Sequence, residues 1–393
     1  MNAERFPAVV AAAAEGRILV DNAAGAQLPD LAIERVQRYL TSDNAQRGGI
    51  FTRTSATNDL ADEAQRECAA LLGVSPDRVG TGLNSTSLAF AFARLVASSI
   101  RTGDRIVVTA ADHEANVAPW MWLRRFGAQV QVVPVDARGD LDVEKYRLLL
   151  ASEPVLVALP WASNATGTVF DVASLARAAK AAGATVVVDG VQAFPHFPLD
   201  IPPAVDFAFF SAYKCYAPHL AFWYLSAAAS DRFLRVDDDL APSESRYWTL
   251  ETGTQAYEAL AGWLGTVAYL REVAPEPRRA LATFARYEAE LSAHARAAFA
   301  QREGRVTLYG RPTNEDRLPV FAFNLVDVQA ETVAHRLEAA GIEARLGDYY
   351  APRLMRALAA DRGGRALRIS LAHYNTTEEI DRCFAAIDSA LGE

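Results

Sequence analysis

Lys214 stands in Ser211-Ala212-Tyr213-Lys214, directly after the apolar run Val205 to Phe210, and Asp189 closes an earlier apolar run, Ala184 to Val188. Two strand-like runs that each end in a reactive side chain put an amine and a carboxylate on one rim of a parallel sheet, where open α/β folds bind ligands. The amine can hold an aldehyde cofactor as an imine. The carboxylate can keep a pyridine nitrogen protonated, so that the ring draws electrons from whatever is bound to it. Together they suggest pyridoxal phosphate.

Other segments offer the remaining parts of such a site. Asp189-Gly190-Val191-Gln192 sets an acid and an amide on one turn, and Gln192 can donate to the phenolic oxygen beside the imine; an ordinary strand-to-loop turn has the same pattern. Gly82-Leu83-Asn84-Ser85-Thr86-Ser87 opens a helix expected from Thr86 to Ser99, and N–H groups at a helix start with the hydroxyls of Ser85 and Thr86 suit a phosphate. Plain N-capping by Ser85 or Thr86 is the alternative. Gly80-Thr81-Gly82 departs from a dinucleotide-binding loop, with Ser85 at the third glycine position and no clear strand before it. His113, in Asp112-His113-Glu114-Ala115-Asn116, can stack on a flat ring and exchange protons, or merely begin a capped helix. Arg368 precedes the apolar Ile369 to Leu371 and can clamp a carboxylate with its forked donors, or form a structural ion pair.

The elements that must position these groups follow from hydrophobic pattern. Strands are expected at Arg105 to Thr109, Gln129 to Val135, Pro154 to Pro160, Ala184 to Asp189, Asp206 to Phe210 and Ala221 to Leu225, with helices Asn116 to Phe126, Asp142 to Ala151 and Val172 to Ala182 between them. That alternation means a mostly parallel sheet covered on both faces. Beyond Glu251-Thr252-Gly253-Thr254 the pattern changes. Long helices are expected at Gln255 to Val273 and Arg278 to Arg302, then strands at Arg305 to Tyr309 and Val320 to Leu325, helix Ala330 to Ala340, strand Arg368 to Leu371 and a closing helix Thr377 to Leu391. This reads as three parts: a segment 1–20 packing with a small domain, a large domain 21–269, and a small α+β domain 270–393.

At 393 residues with 51% hydrophobic composition, the chain can build two cores, and a globular enzyme is the default class. The net charge of −9, without a basic stripe, argues against nucleic acid as a partner. Cys68, Cys215 and Cys383 are odd in number and without paired spacing, so no disulfide framework is expected and a reducing compartment is. Met1 to Ala14 is alanine-rich but lacks a basic start, and no apolar run is long enough to span a bilayer; a cytoplasmic protein is the reading. Six scattered histidines make a catalytic metal improbable, and Asp237-Asp238-Asp239 reads as a solvated loop. There is no Walker loop, His-Glu-x-x-His, Cys-x-x-Cys or Gly-x-Ser-x-Gly.

Taken in order, these segments resemble the class V aminotransferase family of fold type I pyridoxal phosphate enzymes, and within it the cysteine desulfurases and selenocysteine lyases. The likeness runs from Val20-Asp21-Asn22-Ala23-Ala24-Gly25 to Tyr374-Asn375-Thr376-Thr377-Glu378-Glu379. It implies an α/β fold with a mostly parallel seven-stranded sheet and a smaller α+β C-terminal domain. It also implies Lys214 as the Schiff-base lysine, Asp189 as the pyridinium partner, Gln192 as the phenolate donor and His113 as the ring-stacking histidine. Ser85, Thr86, Ser211 and Tyr213 fall at phosphate-site positions, although Tyr213 replaces the usual histidine. Asn164, in Ser163-Asn164-Ala165-Thr166-Gly167, resembles the family asparagine near cofactor and substrate, and Arg368 matches the substrate-carboxylate arginine. Thr254 matches a threonine that reaches the neighbouring subunit's phosphate, which implies a homodimer.

The departures bear on the reaction. Desulfurases carry a catalytic cysteine in a loop resembling Arg345-Leu346-Gly347-Asp348-Tyr349-Tyr350-Ala351, where this chain has Tyr350. A tyrosine cannot carry sulfur as a thiolate does. The expected reaction is therefore C–S bond cleavage of a sulfur-containing amino acid by β-elimination. Lys214, with His113, removes the α-proton; Arg368, Asn164 and Arg345 hold the substrate; Tyr350 or Asp348 protonates the leaving group. Epimerisation or racemisation and transamination use the same carbanion and are the alternatives, and a non-catalytic binding protein on the same fold is the third.

Overall fold

The computed structural model describes residues 1–234, 250–313 and 315–392; the Asp237-Asp238-Asp239 run lies outside the described residues. Its centre is a seven-stranded sheet formed by β1 (Val79–Gly82), β2 (Arg105–Thr109), β3 (Gln129–Val133), β4 (Leu156–Pro160), β5 (Thr185–Asp189), β6 (Phe207–Ser211) and β7 (Ala221–Leu225). Their spatial order is β1-β7-β6-β5-β4-β2-β3. Strands β2 to β6 pair in parallel, and β7 is antiparallel to both neighbours.

The near-continuous apolar strands have a direct cause. Successive side chains point to opposite faces of a sheet, and here both faces are dry. Leu159, Val186, Val188, Phe210 and Phe222 feed one core, while Leu156, Val187, Phe207, Phe209 and Trp223 feed the other. In the inner strands β4 to β7, polarity returns only at the strand ends. Asp189 pairs with Phe209 across β5 and β6, and Lys214 follows β6 by three residues, so acid and amine share the carboxyl edge of the sheet.

The turn after β5 needs a glycine. A Cβ on Gly190 would lie 2.1 Å from Cε1 of Phe210, a ring buried in the core. Gly190→Ala is therefore expected to cost about 1–3 kcal/mol by overpacking, read as a lower urea midpoint; an unchanged midpoint would mean that the turn yields freely.

The expectation that Gly80 opens no dinucleotide loop stands, whereas one helix needs correction. Gly80-Thr81-Gly82 lies within strand β1, whose glycines let Trp223 of β7 cover it: a Cβ on Gly80 would meet Trp223 at 2.2 Å. The expected helix Asn116 to Phe126 is broken into a 3-10 turn Glu114–Asn116, a short helix Ala118–Trp122 and a second 3-10 turn Leu123–Phe126. Pro119 is the reason, since it fits only the first turn of a helix.

A second sheet is antiparallel, with strands β8 (Val306–Leu308), β9 (Val320–Leu325), β10 (Arg345–Gly347) and β11 (Ala366–Ser370) in the order β10-β11-β9-β8. It shares a separate core with the helices Pro277–Ala300, Ala330–Ala339 and Thr377–Leu391. Ile18 and Leu19 pair in parallel with Ile342 and Glu343, which ties the N-terminal segment to this part of the chain. The last helix starts with a capping box between Thr376 and Glu379.

Candidate active site

Two connected cavities open at the carboxyl edge of the large sheet. The inner one, of about 70 Å³, is lined by Ser85, Asp189, Gln192 and Ser211; the outer, of about 650 Å³, by Arg345, Asp348, Tyr350 and Arg368. Thr86, His113, Asn164, Tyr213 and Lys214 face both. Of the catalytic, cofactor and substrate residues expected from the sequence, Thr254 lies elsewhere.

Lys214 is one of three lysines in the chain. Lys145 is exposed, and Lys180 is paired with Asp206 at 2.6 Å. Lys214 is buried in a 3-10 turn after β6, with Nζ donating to Oε1 of Gln192 at 3.2 Å. Burial lowers its pKa, Arg368 adds to the lowering, and Asp189 and Asp21 oppose it. Burial raises the pKa of Asp189, against the Val191 N–H that donates to its Oδ1 at 2.9 Å. The buried amine is thus poised toward its neutral, nucleophilic form.

The helix Ser85–Ala97, here α1, begins with Asn84 as its N-cap, accepting from the Ser87 N–H at 2.8 Å. The alternative reading, in which Ser85 or Thr86 caps this helix, does not hold. Ser85 instead lies 2.6 Å, oxygen to oxygen, from Ser211, bringing two hydroxyls beside the first-turn N–H groups that a helix leaves unpaired.

His113 is fixed from behind. Thr109 and Asn116 donate to the buried Asp112 at 2.5 and 2.7 Å, anchoring the segment before it. Its Nδ1 accepts the Ala115 N–H at 3.0 Å, which leaves the proton on Nε2. Burial, then Lys214 and Arg368, push its pKa down to about 3. A neutral ring in this state stacks and donates; it is a poor proton acceptor.

Arg368 is 1% exposed. It donates through Nη1 to the Asn164 carbonyl at 2.9 Å and through Nη2 to Asp21 at 2.7 Å, and its guanidinium lies 4.6 Å from the Tyr349 ring centre. The other oxygen of Asp21 accepts from Arg345 at 2.7 Å. Arg368 thus belongs to an ion pair and also borders the cavity. Among the described residues, its Nε and the Oδ1 of Asn164 have no hydrogen-bond partner and are buried.

Asp21 and Tyr349 are the residues that the sequence reading missed. The signal for Asp21 is the one used for Asp189, an acid closing the apolar stretch Ile18 to Val20. Asp21→Asn keeps the shape but withdraws a charge shared by two guanidiniums. The expected loss is about 1–3 kcal/mol, read by urea denaturation, and parental stability would contradict it.

The loop carrying Tyr350 is unusual. Tyr349 and Tyr350 both have left-handed backbone, with φ of 57° and 56°, a conformation disfavoured for bulky residues. The Glu114 N–H donates to the Tyr350 carbonyl and the Asn164 side chain to the Tyr349 carbonyl, both at 2.7 Å. Tyr350 itself is 72% exposed, with its ring 5.7 Å from that of His113. The three cysteines are all buried, and none lines either cavity.

Thr254 lies with Glu251 and Thr81 in a separate cavity of about 100 Å³. Burial pushes the Glu251 carboxyl up from 4.5 to about 7, although the Thr81 N–H donates to it at 2.7 Å. The folded chain then holds that proton more tightly than the unfolded chain, so this stabilisation is complete below pH 4.5 and is lost as pH rises through about 7. Glu251→Gln should flatten that part of the stability curve, measured by urea midpoints across the same range; the parental slope would contradict this.

No helix among the described residues is long and apolar enough to cross a membrane, and no group of three or more His, Cys, Asp or Glu there is arranged to hold a metal ion. Residues 18–383 match the model of the class-V aminotransferases. A cysteine desulfurase of Enterobacter sp. is 31% identical over 383 residues, covering 92% of this chain and 90% of its own. The aminotransferase-like protein FGM3 of Gibberella zeae is 28% identical over 402 residues, covering 98% and 97%. Among solved structures, the cysteine desulfurase CsdA of Escherichia coli superposes with a TM-score of 0.84 at 26% identity, covering 99% of this chain and 97% of that one. The chain therefore belongs to the class-V aminotransferases, a pyridoxal-phosphate-dependent family, and is cysteine desulfurase-like within it.

Proposed function

We propose that the protein is a pyridoxal phosphate-dependent lyase that cleaves the C–S bond of a sulfur-containing amino acid by β-elimination, with no persulfide on the enzyme. One observation carries the choice of reaction: the cavity holds Lys214 and Asp189 but no thiol, since Cys68, Cys215 and Cys383 are buried away from it. Burial also raises the pKa of each of these thiols, so none is a ready thiolate.

The residues present fit the cofactor. A buried amine tending to neutrality, a buried carboxyl with one oxygen uncommitted to Val191, and a hydroxyl pair at a helix start form a donor set suited to an aldehyde, a pyridine nitrogen and a phosphate. When bound, pyridoxal phosphate supplies an electron sink for charge developing at the α-carbon. Lys214 would hold its aldehyde, Asp189 keep a proton on its ring nitrogen, and Gln192 face its phenolic oxygen. Ser85, Thr86, Ser211 and Tyr213 would surround its phosphate, and His113 would cover its ring.

On the substrate, Arg368, Arg345 and Asn164 would orient the carboxylate. Lys214 takes the α-proton. We assign His113 to stacking and donation, because its Nδ1 is already accepting a hydrogen bond. Tyr350, on the outer wall, would protonate the departing sulfur, with Asp348 accepting its backbone N–H at 3.0 Å. A homodimer in which Thr254 reaches the partner's phosphate, and a cytoplasmic location, belong to the same proposal. Sedimentation that finds only monomers would remove the dimer, and fractionation the location.

The test is product analysis of the holoprotein supplied with sulfur-containing amino acids. Pyruvate, ammonium and a sulfur product in equal amounts are expected. Alanine with protein-bound persulfide would replace elimination with desulfuration, and solvent deuterium on an inverted α-carbon would replace it with epimerisation. A keto acid that retains sulfur would mean transamination. Protein that stays colourless with the cofactor and inert to borohydride would mean a binding protein.

A further inference from the structure

We infer that the substrate is an S-substituted cysteine, a thioether whose sulfur bears an uncharged organic group of about benzyl size, rather than free cysteine. The inference rests on the proposed C–S cleavage and concerns what the sulfur carries. It starts from the mismatch between the two cavities. The groups suited to the cofactor line the inner one, and Thr86, His113, Tyr213 and Lys214 face the outer one as well, so the cofactor takes part of its roughly 650 Å³ and leaves the rest, walled by Arg345, Asp348 and Tyr350, to the substrate. Pockets of roughly 300–1,000 Å³ bury drug-sized ligands, and cysteine is far smaller.

The outer wall is open because its residues are small. Ala23, Ala24, Ala115, Ala118 and Gly347 stop at Cβ or before it. Tyr350 closes the rim, and its strained backbone is held by hydrogen bonds to the Tyr349 and Tyr350 carbonyls. A tyrosine ring carried on a held backbone beside alanines suits an apolar or aromatic group.

Charge points the same way. Arg345 and Arg368 share Asp21, Glu114 is paired with Arg353 at 2.6 Å, and the two guanidiniums facing the cavity are the groups proposed to orient the substrate carboxylate. An anionic substituent would compete with that carboxylate for them; an uncharged one would not.

The chemistry is also consistent with a substituted sulfur. No thiol on the chain faces the cavity to receive a sulfur atom, so the sulfur departs with the group it already bears. Lys214 takes the α-proton, the Cβ–S bond breaks with both electrons going to sulfur, and the thiolate takes a proton from Tyr350 that solvent restores. The released aminoacrylate adds water and gives pyruvate and ammonium. S-benzylcysteine and water thus yield phenylmethanethiol, pyruvate and ammonium, with no oxidant or reductant.

The experiment compares S-benzyl-L-cysteine with L-cysteine on the holoprotein, reading pyruvate and thiol. A kcat/KM at least about tenfold higher for the benzyl compound is expected, the scale of a filled apolar subsite. Calorimetry with α-methyl-S-benzylcysteine and α-methylcysteine, which have no α-proton to lose, should show the same preference in binding. Ala118→Phe narrows the outer cavity and should lower the benzyl-to-cysteine ratio at least about tenfold. The analogue comparison on the unaltered protein stands even if that variant fails to fold. Pyruvate from both substrates with cysteine preferred, equal analogue affinities, or an unchanged ratio in folded Ala118→Phe would overturn the inference alone. Absence of pyruvate from both would overturn the lyase reading and this inference with it.

Discussion

Turnover of Lys214→Ala is expected to fall by about four orders of magnitude or more, because on the proposed assignment one residue both tethers the cofactor and takes the α-proton. The chain has two other lysines, and neither can substitute. Lys145 is exposed, and Lys180 lies at Asp206, away from the cavity. The fold should survive. Among the described residues Lys214 has no salt bridge, and its hydrogen bond to Gln192 borders the cavity, where water can replace it. Circular dichroism and a urea midpoint within about 1 kcal/mol of the parent would separate lost chemistry from lost structure. The cofactor should also leave the variant on dialysis. Retained turnover in folded Lys214→Ala would remove the amine from the account.

The second large effect is expected at Asp189. Asp189→Asn keeps the side-chain shape and an oxygen for the Val191 N–H, but it has no charge with which to hold a proton on the ring nitrogen. A kcat lower by about 10²–10⁴ is expected, the usual range for a lost acid–base partner. KM should change little, because Arg368 and Asn164 are untouched. The conservative variant Asp189→Glu should recover part of the rate, which a purely structural role for the turn would not produce. A kcat within about threefold of the parent in Asp189→Asn would contradict the assignment.

The large sheet is legible in the sequence because its strands are dry on both faces and therefore continuously apolar. Ala184 to Val188 and Asp206 to Phe210 read as strands without ambiguity, and the reactive residue that follows each stands out. The closing helix Thr377–Leu391 reads to the residue, because its capping box marks the start and Gly392 the end. Other elements give no such contrast. Helix Thr52–Leu72 buries Thr54, Thr57, Ala61 and Ala64, a face of small and polar side chains with little hydrophobic period to detect. Helix Asp30–Arg38 is also missed; Ala32 is its buried residue.

The site divides in the same way. Lys214, Asp189, Gln192, Ser85, Ser211 and His113 follow strand ends or helix starts, so local pattern locates them, and the structure gathers them around one pair of cavities. Asp21 and Tyr349 matter through contacts with Arg368, which lies 347 residues from Asp21 along the chain. Pairings of that kind depend on how the N-terminal segment joins the second sheet, which no local pattern encodes. The state of His113 is equally hidden, since it depends on the Ala115 N–H, burial and two nearby cations.

The most direct test is chemical. Holoprotein reduced with borohydride, digested and mapped by mass spectrometry should carry the phosphopyridoxyl group on Lys214 alone. Modification of Lys145 or Lys180 instead, or of no lysine, would contradict the claim that the cofactor is tethered opposite Asp189.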